Sequence, residues 1–225
     1  MKRIFALVLC LIICLPTLAA CGNTCKVSIR EGDSVLSTES VEVGAMLDYV
    51  APDRAGYLFA GLFAAPDFSE KFNMGTPVTE DLTLYAAYVP VARDSRSFAI
   101  VGSGTSTVLA SSSWGAVIGD AHTMTHKYDS GFNTYVLTVD LEAGDEFQFA
   151  TDTSWSDQRG FGYLIYPTRD GPDYFSVASG LGAEEPKLSN IVCNVSGTYT
   201  FTLVTYPGGS ELDASPFDYI LWSVA

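Results

Sequence analysis

From residue 26 onward, apolar and polar positions alternate in short runs instead of recurring at helical spacing. Lys26-Val27-Ser28-Ile29-Arg30 alternates, and Gly32-Asp33 turns the chain into a second run ending Val41-Glu42-Val43-Gly44. Residues 57–63 and 82–88 read as two further strands. Later, Tyr135, Leu137, Val139 and Leu141 share one face, and Tyr199, Phe201 and Leu203 share another. The stretches 190–195 and 217–224 continue the pattern. No amphipathic helix longer than a turn or two is visible. Between 89 and 97, Pro90 and the charges of Arg93, Asp94 and Arg96 interrupt the periodicity. The expectation is therefore an all-β, mainly antiparallel chain. A small β module spans 26–89, a linker 90–96, and a two-sheet β-sandwich 97–225.

The strand Gly144-Asp145-Glu146-Phe147-Gln148-Phe149 alternates, which predicts an apolar Phe face and a wet Glu/Gln face. The next stretch drops the alternation. It reads as a loop that crowds Trp155, Phe161 and Tyr163 among Asp157, Gln158 and Arg159, with Gly160 and Gly162 between them. Flat rings beside hydrogen-bonding groups suit a sugar, which offers an apolar C–H face and a belt of hydroxyls. Trp155 and Trp114 are the stacking candidates. Arg159, Asp157 and Gln158 are candidates for bonding hydroxyls, and Tyr163 for either role. For each indole the competing reading is a core position, and for Arg159 a solvated surface. Trp222, in a strand, and Tyr57 and Phe59, in the first module, are expected in the core.

Charge narrows the partners. The 225 residues carry a formal net charge of −14. A leader holding Lys2 and Arg3 leaves the remainder more acidic still. Nucleic acid and anionic lipid surfaces are poor partners for such a chain, whereas a neutral polymer meets no repulsion. The leader itself is a basic start followed by an apolar run, residues 4–15, too short for an ordinary membrane span.

Leu18-Ala19-Ala20-Cys21 resembles the lipobox of bacterial lipoproteins. That resemblance implies a signal peptide 1–20, cleavage before Cys21, and a diacylglycerol anchor on its thiol, with 21–25 as a short tether. A plain secretory signal cut nearby is the alternative. The expected place is outside the cell, tethered to a bacterial cell membrane or outer membrane through the lipid. Cys10 and Cys14 leave with the leader, so Cys25 and Cys193 remain, either paired or as buried thiols.

Two modules carry further resemblances. Val43-Gly44, Pro52-Asp53-Arg54-Ala55-Gly56-Tyr57-Leu58-Phe59-Ala60-Gly61, Thr76-Pro77-Val78-Thr79 and Asp81-Leu82-Thr83-Leu84-Tyr85-Ala86 resemble the internalin-type B repeat, also called the Listeria–Bacteroides repeat. Leu62 stands where that family usually has Trp. The resemblance implies a compact β-grasp-like surface module, a spacer or adhesion unit, without catalytic residues. In the second module, Ser113-Trp114-Gly115, Tyr135-Val136-Leu137-Thr138-Val139-Asp140-Leu141, Ala143-Gly144-Asp145-Glu146-Phe147-Gln148-Phe149, Trp155 and Ser196-Gly197-Thr198-Tyr199-Thr200-Phe201 look like SusE/SusF-type starch-binding domains. They are also similar to modules appended to pullulanases. Gln148 departs from the Lys common in those relatives. This resemblance implies non-catalytic binding of α-glucan by aromatic rings.

Other constellations point to no chemistry. His122-Thr123-Met124-Thr125-His126 has the histidine spacing of a metalloprotease helix but lacks the Glu after the first His, and its neighbours argue against helix. Glu184-Glu185-Pro186-Lys187 reads as an acidic loop. No nucleophile elbow or phosphate loop is present, and no carboxylate pair singles itself out for glycoside hydrolysis. The expectation is a surface lipoprotein, not an enzyme and without cofactor or metal, that binds starch-type polysaccharide. The alternative is an adhesin or assembly scaffold that binds a surface protein.

Overall fold

A computed structural model of the chain describes residues 23–165, 173–178, 188–209 and 216–225. The leader, Cys21 and the acidic loop 184–187 lie outside the described residues. The first alternating run forms β1 (Thr24–Glu31), which turns back antiparallel as β2 (Ser34–Glu42). β3 (Tyr57–Phe63) and β4 (Leu82–Pro90) complete a sheet ordered β2-β1-β4-β3, with β4 parallel to β1 and antiparallel to β3. Val27, Ile29, Leu62, Val78 and Leu84 fill its core. Phe59 packs half-buried against that core, but Tyr57 is 47% exposed. The expectation of a core Tyr57 is thus corrected: it begins an edge strand, where one side of the ring has no neighbour to pack on.

The second module continues with β5 (Phe98–Ser103), the short helix α1 (Thr107–Ser112), β6 (Thr125–Asp129), β7 (Phe132–Leu141) and β8 (Glu146–Thr151). There follow β9 (Ser154–Arg159), β10 (Phe175–Val177), β11 (Ile191–Cys193), β12 (Gly197–Thr205) and β13 (Tyr219–Val224). One sheet runs β10-β11-β8-β5, with β9 also on β8, and the other β13-β12-β7-β6. Their Phe and Tyr faces meet: Phe201 of β12 lies 5.6 Å from Phe147 and 5.3 Å from Phe149 of β8. All three rings are fully buried, each contributing about 1.5–3 kcal/mol of hydrophobic stabilisation. The result is an all-β, sandwich-like fold.

Two local expectations change. Gln148 points away from the phenylalanine face yet is 3% exposed, because the chain at Leu188 covers it and accepts a bond from its Nε2 at 2.5 Å. The stretch 154–159, expected as loop, is strand β9. Asp152 and Thr153 both have positive φ (47° and 61°), the conformation of a tight hairpin turn matched to strand twist. The register then slips between Thr151↔Ser154 and Phe149↔Arg159, so β9 bulges away from β8.

The segment between β4 and β5 is packed. Asp94, 3% exposed, accepts bonds from the Arg96 guanidinium (2.8 Å to Nη2) and the Thr205 hydroxyl (2.6 Å). Its backbone N–H donates to Asn133 Oδ1 at 2.8 Å. Nearby, Ala60, Phe63 and Val89 of the first sheet share a cluster with Val204, Tyr206 and Phe217 of the sandwich. Phe63 meets Phe217 edge-on at 5.7 Å, and Lys71 Nζ donates to the Phe217 carbonyl at 2.7 Å. Cys25 and Cys193 are both free thiols, each buried in its own module.

Candidate functional site

Helix α1 ends in three successive left-handed residues, Ser113 (φ 44°), Trp114 (φ 55°) and Gly115 (φ 84°). Such a run costs free energy at the two non-glycine positions, so something must hold it. β5 does. The Ser112 hydroxyl bonds both the N–H and the carbonyl of Gly102 at 3.0 Å, and the Trp114 N–H donates to the same carbonyl at 2.8 Å. Trp155 arrives from β9. Its turn is fixed by Asp152, whose Oδ1 accepts from the Ser97 N–H (2.7 Å) and hydroxyl (3.0 Å).

These two anchors bring the indoles together, with ring centroids 6.0 Å apart at a tilt of 46°. Trp155 is 44% exposed and Trp114 is half-buried. Two candidates separated by forty-one positions thus form one aromatic patch. A half-open indole can cover one face of a pyranose, gaining apolar contact area.

The polar candidates divide differently. Gln158 is half-buried. Asp157 is half-buried too, and its carboxylate is committed: Oδ2 accepts from Arg96 Nη1 at 3.0 Å and Oδ1 from Arg159 Nη1. Arg159 and Tyr163 do not face outward, which corrects the expectation that they bond sugar hydroxyls. Arg159 is 0% exposed and its Nε and Nη2 donate to Asp218 Oδ2 at 3.1 and 2.7 Å. It lies 5.6 Å from the Phe98 ring and 5.1 Å from that of Tyr163. The physical reason is the carboxylate ahead of β13, which a buried guanidinium must neutralise. Burial raises the Asp218 carboxyl above its ordinary range, although Arg159 pulls it down. Tyr163, 2% exposed, has its hydroxyl pushed up to about 12 by burial.

Sequence reasoning missed Asp94, Arg96 and Asp218 as members of this buried network. The first two looked like linker charges, and only folding brings Asp218 beside them. Trp222 is 8% exposed, in the core. His122 is buried, with the Gly119 N–H on Nδ1 (3.0 Å) and Nε2 3.0 Å from the Val108 carbonyl; His126 stacks on Tyr135 at 4.3 Å. Among the described residues no group of three potential metal ligands occurs. No protein-family model matches the chain, and no curated protein matches it.

Proposed function

We propose that the chain captures polysaccharide, with starch-type α-glucan as the first choice, by laying sugar rings against the Trp114–Trp155 pair without acting on them chemically. The observation that carries this reading is the meeting of two distant tryptophans on the surface, one nearly half exposed, the Trp114 turn held by bonds to Gly102 and the Trp155 turn by the Asp152 carboxylate. A fixed aromatic pair loses little conformational freedom when a ligand arrives. The acidic balance of the chain favours a neutral polymer over polyanions. Anchoring through a lipid on Cys21, at a bacterial surface, belongs to the same proposal and rests on the leader sequence. Single-sugar contacts are weak, so retention would come from repeated engagement along one polymer.

Native electrophoresis through amylopectin tests it. The protein should be retarded, and Trp155→Ala should weaken the interaction about tenfold or more. Unretarded migration across a panel of neutral polysaccharides would reject the reading.

A further inference from the structure

A concavity that neither indole lines lies beside an incomplete strand edge. β6 covers one side of β7 only as far as the pair Thr125↔Val136. Beyond it, residues 137–141 of β7 are paired to β12 alone, through registers such as Val139↔Tyr199 and Leu141↔Gly197. Alternate N–H and carbonyl groups along that edge therefore have no ladder partner among the described strands. Facing the edge is α1, and between them runs a groove of about 650 Å³. Thr107, Val108 and Ser111 form the helix wall, and Thr138, Val139 and Asp140 the strand wall.

We infer that this groove takes an extended, lysine- or arginine-bearing peptide segment of a partner protein, which adds to β7 as a new strand. A strand edge opposite a helix supplies both elements of such recognition: main-chain hydrogen bonds along the strand, and a wall that selects alternate side chains. Charge chooses the occupant. Asp120, Asp140 and Glu142 line the groove, and no lysine or arginine lines it among the described residues. Asp140 and Glu142 each accept one hydroxyl bond, from Thr198 (2.5 Å) and Ser196 (2.7 Å), which leaves further acceptor positions on each carboxylate for a cation. The same carboxylates oppose pairing with a second copy of this chain, because two acidic edges of a protein with net charge −14 repel. This inference does not depend on the sugar-binding reading, since no groove residue belongs to the indole pair.

A fluorescein-labelled peptide of about six residues, alternating lysine and valine, is the probe. Its binding to the full chain is followed by anisotropy and by amide hydrogen exchange. Thr107→Trp fills the groove and keeps every charge; Asp120→Lys reverses one charge on an exposed loop. Each should weaken binding about tenfold or more, whereas Trp155→Ala should leave it unchanged. Exchange should slow at alternate residues within 137–141. Equal binding by Thr107→Trp and wild type would overturn the inference, as would equal binding of a glutamate–valine peptide. Dimerisation through the same edge, with the peptide ignored, would overturn it as well.

Discussion

Replacing Arg159 with methionine separates a structural arginine from a ligand-binding one. Arg159 is fully buried, and three of its N–H groups serve Asp218 and Asp157. Methionine retains much of the aliphatic volume but strands Asp218. That carboxylate would keep the Tyr206 N–H on Oδ1 at 2.9 Å, and Arg96 Nη2 at 3.9 Å from Oδ2. Removing one partner of a buried ion pair costs about 3–5 kcal/mol, and the nearby Arg96 places the expected loss near the lower end, about 3 kcal/mol. Adding Asp218→Asn to the same chain should recover at least about 1 kcal/mol, because the uncompensated charge disappears. Urea unfolding followed by tryptophan fluorescence measures both changes. A loss below about 1 kcal/mol for Arg159→Met, together with abolished glucan retention, would refute the reasoning, since it would mean an arginine working at an open surface.

Three other outcomes follow from the packing. Phe217→Ala removes the ring that meets Phe63 and Phe68 between the modules, so stability should fall by about 3–5 kcal/mol and calorimetry should resolve two transitions instead of one. A single unshifted transition would show that the interface contributes nothing. Gly102→Ala would place a Cβ 2.1 Å from the Glu146 carbonyl oxygen, so the β5–β8 pairing must shift, with a loss of about 3 kcal/mol or more and a displaced Trp114; an unchanged urea midpoint would contradict this. For Asp145, burial works against the anion, but bonds from Ser106, Glu142 and Thr105 more than compensate and hold the carboxyl below its usual value. Its stabilisation is therefore complete above about pH 4 and lost as pH falls through the lowered folded value, so the wild type should lose more stability than Asp145→Asn below that pH. Parallel acid profiles would disprove the assignment.

The strands were legible because burial follows alternation. Tyr135, Leu137, Val139 and Leu141 could share a face only in an extended chain, and they lie beside Tyr199, Phe201 and Leu203 on the buried face of one sheet, as the two patterns require. The indoles were legible as types, rings set among glycine and serine, but their meeting depends on a helix end bonded to Gly102. Arg159 was misread because its partner lies 59 positions later, beyond any local signal. Gln148 was misread because alternation reports which way a side chain points, not what later chain lies over it. The open edge of β7 was invisible for a similar reason: where β6 stops is set by its departure at Thr125, where Met124 already bonds β5 through Phe98.

The bond between the Phe217 carbonyl and Lys71, with Phe63 against Phe217, makes the first sheet a bracket for the second. If the chain is tethered as proposed, halves that swivelled would sample many headings and face a ligand only part of the time. Here the bearing of the tryptophans is inherited from the N-terminal sheet, so under the proposed tethering an anchor ahead of β1 would also aim the indole pair.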